Sequence, residues 1–337
     1  MISGHANIEM AISSLKNGAF EFVEKPFDQT RLLNFISRAV ENLNLKNQNK
    51  EYENKLFSSY ELIGNSKNII NVKDQIDKIS ITDSRVIING PSGSGKELVA
   101  RKIHKKSRRN NKPFIILNGA LLDNKKYELE LFGEEKDNGS LSYGALEKAN
   151  KGTLLIDQVS EIPLEIQLKI LRVLTDQKFK RVNGLNDINV DVRLICSSSK
   201  DLKTEIEIGN FREDLFHRIS VFEINIKPLN ERVSDIPLLI RYFNNKISES
   251  YNIKRLNIDE NDSYILNHNW YGNVRELRNL IERIAILQPE NEDKVSNIIK
   301  ESLKNENFHE KVTENRLSIP LKEAREKFEK EYLTIQL

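Results

Sequence analysis

The segment Gly90-Pro91-Ser92-Gly93-Ser94-Gly95-Lys96 constrains this chain more than any other feature. The apolar run Val86-Ile87-Ile88 leads into it and the helical pattern Leu98-Val99-Ala100-Arg101-Lys102-Ile103 follows, so a strand, a phosphate-cradling loop and a helix are implied. Glycines let main-chain N–H groups turn inward around phosphate oxygens, and the helix brings its positive dipole end. Lys96 adds a point charge toward the outer phosphates. Glu97 stands where the generic pattern wants a Ser or Thr hydroxyl for magnesium. A second apolar strand, Thr153-Leu154-Leu155-Ile156-Asp157, ends in a carboxylate placed to hold Mg2+ directly or through water. The residue after it is Gln158, where efficient hydrolysis of a nucleotide wants an acid. An amide orients water but cannot take its proton, and such a loss lowers a rate on the order of 10²–10⁴. Glu161 is the carboxylate that could stand in.

A chain of 337 residues has room for two or three domains. Its net charge of +2 excludes the strongly basic footprint of a constitutive nucleic-acid binder. The single cysteine, Cys196, rules out an intrachain disulfide framework and reads as a buried strand thiol in a reducing, cytoplasmic setting. No apolar stretch approaches the ~20 residues needed to cross a bilayer, so no membrane partner is expected. The basic run from Arg101 to Arg109 continues a helix and reads as a solvated face. His104 and His217 have no metal-ligand spacing with other residues.

From about 61 to 232 the chain alternates apolar runs with helical patterns. The runs are Val86–Ile88, Phe114–Leu117, Leu154–Ile156, Val192–Cys196 and Val221–Ile224. The fold class expected is α/β, a parallel P-loop sheet flanked by helices. After Asp235 only helical spacing remains, which makes 233–290 a helical lid, followed by a polar tether at 291–318. Residues 1–43 alternate helix and strand signals, with a strand at Phe20–Val23 and a break at Lys25-Pro26; 44–60 read as a polar linker helix. Leu33, Ile36, Val40 and Leu43 form a narrow stripe that either packs on its own domain or makes a short dimer seam. The pattern at 319–337 is helical, and both ends read as cut.

Four further motifs occur in order: Leu131-Phe132-Gly133-Glu134-Glu135-Lys136, Gly152 to Asp157, Phe211-Arg212-Glu213-Asp214-Leu215-Phe216-His217-Arg218, and Trp270-Tyr271-Gly272-Asn273-Val274-Arg275-Glu276-Leu277. Over about 61–290 the chain therefore resembles the AAA+ domain of sigma-54-dependent transcriptional activators, nitrogen-regulation response regulators, and most of all their NtrX-like branch. Glu97 agrees with that family. The resemblance implies a site for ATP and Mg2+, with Ile63-Gly64 against the adenine and Arg275 sensing phosphates from the lid. It also implies a ring of copies, a hexamer or heptamer, in which Arg212 and Arg218 reach a neighbour's nucleotide; a local salt bridge of Arg212 with Asp214 or Glu213 is the alternative. Trp270 reads as lid core. Ser3 and Lys25 are similar to the switch positions of a phosphorylatable receiver domain, which implies a sensor histidine kinase as partner. The C-terminal helix is similar to the lead-in of a helix-turn-helix domain that would contact DNA and is absent here.

Three departures from that family stand out. Gln158 replaces its acid, and Ser199 stands where many relatives carry an asparagine that senses the γ-phosphate. Asp137-Asn138-Gly139-Ser140-Leu141-Ser142-Tyr143-Gly144-Ala145 lacks the aromatic–threonine tip that touches the sigma factor. The departures favour a response-regulator transcription factor whose AAA+ domain is a nucleotide-dependent oligomerisation switch with weakened hydrolysis. The alternative is a working ATPase that remodels sigma-54 RNA polymerase holoenzyme. A small-metabolite P-loop kinase is a third reading, which the arginine pair and the Trp270–Leu277 motif oppose.

Overall fold

The computed structural model describes residues 2–3, 12, 14, 21–26, 28, 30, 32–41, 61–121, 124–136, 140–287, 289 and 293–303. It divides into two compact units, Met1–Glu61 and Leu62–Leu337. In the first unit, β1 (Ile2–Ser3) pairs in parallel with β2 (Val23–Glu24), and Lys25 N donates to Ser3 O at 2.9 Å. That pairing brings Ser3 and Lys25 side by side. The expected strand at Phe20–Val23 begins later, at Val23. Helical residues 32–41 expose Leu33, Ile36 and Val40, while Leu43 and the 44–60 linker lie outside the described residues.

The second unit opens with α1 (Lys67–Ser80), whose Ile69, Val72, Ile76 and Ile79 recur at helical spacing and are buried. Next come β3 (Val86–Asn89), α2 (Lys96–Lys106), β4 (Phe114–Asn118), α3 (Asn124–Phe132), the hairpin strands β5 (Gly133–Glu135) and β6 (Leu141–Tyr143), α4 (Ala145–Lys148) and β7 (Thr153–Asp157). After α5 (Leu164–Asp176), the short pair β8 (Lys178–Phe179) and β9 (Ile188–Asn189) precedes β10 (Arg193–Ser198), α6 (Leu202–Glu207), α7 (Glu213–Ile219) and β11 (Phe222–Asn225). The five apolar runs all become strands of one parallel sheet, ordered β11-β3-β10-β7-β4. The last strand starts one residue later than its apolar run: Val221 is 57% exposed, and Phe222 begins the pairing.

Alternation along the central strands builds the layers. Ile87, Leu154, Ile156, Leu194 and Cys196 face the core beneath α3–α7, whereas Val86, Ile88, Leu155 and Ile195 face α1 and α2. Strands buried on both faces need helices on both faces. Cys196 is fully buried, which pushes its thiol up to about 12 and makes it the inert strand residue expected.

The lid is α8 (Ile236–Tyr251), α9 (Ser263–Leu266) and α10 (Asn273–Leu287), with Trp270 at its centre, 1% exposed and donating from Nε1 to Ile265 O at 2.9 Å. The tether expected at 291–318 needs correction. A helix occupies 293–303, and its Val295, Ile299 and Leu303 are buried with the lid core. Three apolar residues four apart, with Ile298 packed beside them, suffice for one buried stripe, which the polar residues around them hide in composition. Residues 304–337 lie outside the described residues, as does the helix expected at 319–337.

Candidate nucleotide-binding site

Strand order assembles the site. Although β10 follows β7 in the chain, it lies between β3 and β7, so Ser197-Ser198-Ser199 separates the phosphate loop from Asp157 and Gln158. This is the carboxyl edge of a parallel sheet where strand order reverses, the usual crevice for nucleotides.

The loop from Gly90 to Lys96 follows β3 and caps α2 with Gly95. Gly90 N donates to Ser198 O at 3.2 Å and Ser94 N to Pro91 O at 3.3 Å, which fixes its curvature. Gly93 has φ +74, and a Cβ there would stand 2.2 Å from Gly272 O of the lid. Gly95 has φ +107 with nothing near a Cβ, so conformation alone demands glycine there. Lys96 is 6% exposed and donates from Nζ to Gly90 O (2.7 Å) and Pro91 O (3.0 Å). Burial pulls its ammonium below the ordinary range, Asp157 pulls it back up, and Arg275 adds to the lowering. Lysine, aspartate and lid arginine thus share one electrostatic neighbourhood. Glu97 points its carboxylate to Arg101 at 2.7 Å.

Gln158 sits in the left-handed region, φ 59 and ψ 55, just past β7. Its main-chain N–H donates to Ser197 Oγ at 3.2 Å, and Ser197 Oγ in turn donates to Asp157 Oδ1. Its side-chain Oε1 accepts from Ser199 Oγ at 2.7 Å and from Ser199 N at 3.3 Å. The two departures in the sequence are therefore bonded to each other. Glu161, the stand-in carboxylate, pairs with Lys200 at 2.9 Å.

The lid reaches the same loop. Arg275 Nη1 is 3.4 Å from Ser92 Oγ, and Asn273 Nδ2 donates to Ser92 O at 3.0 Å. Asn273 Oδ1 accepts from Leu229 N at 2.8 Å, which ties the start of the lid down as well. Asn273 belongs to the Trp270–Leu277 motif, and only the tertiary structure gives it this pair of hydrogen bonds with Ser92 and Leu229. Ile63 and Gly64 precede α1; Ile63 packs on the lid core, and Gly64 has φ +143.

Arg212 stands at the N-terminal cap of α7, and Arg218 lies in its last turn. Arg212 makes the local fork expected as the alternative, Nε to Asp214 Oδ1 at 3.0 Å and Nη2 to Oδ2 at 2.6 Å. Arg218 Nη2 donates to Leu174 O at 3.1 Å. Neither joins the candidate site.

Trp270 Nε1 is occupied within the lid, and His104 is buried against Thr153, so neither takes part in the site. No cluster of metal-ligating side chains occurs among the described residues, and no helix among them is long and apolar enough to cross a membrane.

A five-stranded parallel sheet, a phosphate loop, a strand-end aspartate and a lid arginine bent onto that loop define an AAA+ nucleotide-binding fold. Residues 62–225 match the Sigma-54 interaction domain, and 230–315 match the AAA+ ATPase lid domain. Across its full length the chain is 42% identical over 348 residues to the nitrogen assimilation regulatory protein NtrX of Azorhizobium caulinodans, covering 76% of that protein. It is similar to the crystal structure of NtrX from Brucella abortus in complex with ADP, with TM-score 0.73 and 42% identity over 100% of this chain and 76% of that one. The ATP complex of the same Brucella protein gives TM-score 0.71 and 40% identity, over 100% and 76%. The chain belongs to the NtrX family of sigma-54-activator-type response regulators.

Proposed function

We propose that the chain is a response-regulator transcription factor whose AAA+ domain binds ATP with Mg2+ and acts mainly as a nucleotide-dependent oligomerisation switch, with slow hydrolysis. The observation that carries this reading is the Gln158–Ser199 bond, because the oxygen that would face a nucleophilic water accepts two hydrogens already and is an amide oxygen. A neutral carboxamide has no useful proton affinity, so water can be oriented here and not deprotonated. Binding does not suffer: Lys96 and the main chain of 90–96 address phosphates, Arg275 approaches from the lid, and Asp157, steadied by Ser197, is the acid for the metal. The ADP and ATP complexes of the Brucella relative support nucleotide binding. When bound, Mg2+ would neutralise charge on the phosphate oxygens.

Arg212 and Arg218 would complete the nucleotide site of a neighbouring copy in a hexameric or heptameric ring. Arg212 must then leave Asp214, an exposed pair that solvent screens, so the exchange is inexpensive. Ser3 and Lys25 would belong to the switch of a receiver domain answering a sensor histidine kinase, and DNA would be met through a further domain.

Remodelling of sigma-54 polymerase is the second reading, and the β5–β6 hairpin favours it. Arg181 ties this hairpin to its neighbours through Glu135 at 2.9 Å and Glu147 at 2.6 Å, and its guanidinium lies over Tyr143. A hairpin braced in this way would serve as the platform for a sigma contact; residues 137–139 lie outside the described residues. ATP-dependent binding to sigma-54 holoenzyme would favour this reading.

Steady-state ATP turnover of the protein and of its Gln158→Glu variant separates the two. The switch reading expects slow wild-type turnover and a rise in the variant on the order of 10²-fold or more. Equal and vigorous rates would refute it.

A further inference from the structure

The chain at 64–66, the phosphate loop and the start of the lid meet on one buried ion pair. Asp235 is fully buried and Arg232 is 3% exposed, with Nη1 3.8 Å from Asp235 Oδ2. Asp235 Oδ1 accepts from the main-chain N–H groups of Asn65 and Ser66, both at 2.8 Å, and Oδ2 accepts from Ser66 Oγ at 2.7 Å. The chain at 64–66 wraps the carboxylate so closely that a Cβ on Gly64 would stand 2.7 Å from its carboxyl carbon. Lys73 Nζ holds Gly64 O from the other side at 2.8 Å. Arg232 meanwhile donates from Nη2 to Ser94 O of the phosphate loop at 3.1 Å, while its Nε is buried with no hydrogen-bond partner. Both residues belong to the short turns that begin the lid.

Neither residue has a place in the chemistry described above. Removing one partner of a buried pair leaves the other charge stranded, so the pair holds its segments firmly in place. A nucleotide's base and phosphates are joined covalently, and a site that reads both must keep its two halves at a set spacing. We infer that Asp235, seated on the phosphate loop through Arg232, is a positioning residue that sets the place of Ile63-Gly64-Asn65-Ser66 and thereby the preference for adenine over other bases. The inference rests on the ATP reading of the site, with Ile63-Gly64 against the adenine as the family resemblance implies.

Calorimetric titration of the whole chain with ATP, GTP and inorganic tripolyphosphate tests it in wild type, Gly64→Ala, Ser66→Ala and Ser66→Thr. Gly64→Ala displaces the segment from Asp235 and should weaken ATP at least about tenfold, the worth of one hydrogen bond to a charged group. The ATP-over-GTP preference should collapse with it, whereas tripolyphosphate affinity stays within about twofold, since the phosphate loop is untouched. Ser66→Ala removes one of the three donors and should show the same pattern at smaller amplitude, with Ser66→Thr restoring wild-type selectivity. Should Gly64→Ala fail to fold, the Ser66 pair alone decides. ATP and tripolyphosphate weakening together, an unchanged ATP-to-GTP ratio in every variant, or a wild type that binds ATP and GTP equally would overturn the inference. A wild type that binds tripolyphosphate and ATP not at all would instead remove the ATP reading beneath it.

Discussion

Acidification from pH 7 to pH 5 should destabilise this protein by about 2 kcal/mol through one side chain, His104. The imidazole is 2% exposed on the inner face of α2, with Nδ1 2.9 Å from Thr153 Oγ1 and its ring 5.1 Å from that of Phe114. Burial pushes its pKa down from 6.5 to about 4; a hydrogen bond with the Lys112 main chain works against it, and the guanidinium groups of Arg193 and Arg101 add smaller lowering effects. The lowered value belongs to the folded state. As pH falls through 6.5, the unfolded chain takes up a proton that the native ring refuses until about 4, so stability is present above that window and lost within it. At pH 5 the unfolded state gains a factor of about 30 over the native one, which converts to about 2 kcal/mol. Urea unfolding at both pH values, at one ionic strength, in wild type and His104→Gln, isolates the effect, because the carboxylates titrate alike in both proteins. The variant should lose about 2 kcal/mol less than wild type on acidification. Parallel pH profiles, or a His104 ring resonance titrating near 6.5 in the native protein, would refute the reasoning.

Two further predictions concern packing. Gly93→Ala drives a Cβ to 2.2 Å from Gly272 O at φ +74, so a clash of about 1–3 kcal/mol adds to about 1–2 kcal/mol for the left-handed φ and ATP binding is lost as well, whereas Gly95→Ala, with nothing within 4 Å, should cost only about 1–2 kcal/mol for its left-handed φ; equal losses in thermal unfolding would count against the loop–lid contact. Arg193 is 1% exposed and donates to the carbonyls of Ile79, Ser80 and Ser84, so Arg193→Met should destabilise by about 1–3 kcal/mol in urea. It should also raise the His104 pKa and narrow the acid window above.

Much of the candidate nucleotide site was legible because the relevant signals are local. The glycines before Lys96 and the apolar strand before Asp157 announce themselves within a few residues of chain. The five strands were legible for the same reason, since β-branched runs need no partner to be recognised. What stayed hidden were couplings over distance. Asp235 looks in sequence like a helix boundary, and its hydrogen-bond partner Asn65 lies 170 residues away. The helix at 293–303 looks like a tether until Val295, Ile299 and Leu303 are seen meeting the lid core.

The sequence by itself determined that this chain carries a phosphate loop on a parallel sheet, and that an amide stands where an acid is expected. Both follow from residue type and short-range spacing. Only the tertiary structure decided what the amide does. Insertion of β10 between β3 and β7 brings Ser199 to within 2.7 Å of Gln158, so two substitutions 41 residues apart become one hydrogen-bonded unit. It likewise decided that Arg212 rests on Asp214 of the same chain and that the lid rests on the phosphate loop. Hydrogen bonds act over about 3 Å, and strand order, which no local pattern encodes, determines which residues come that close.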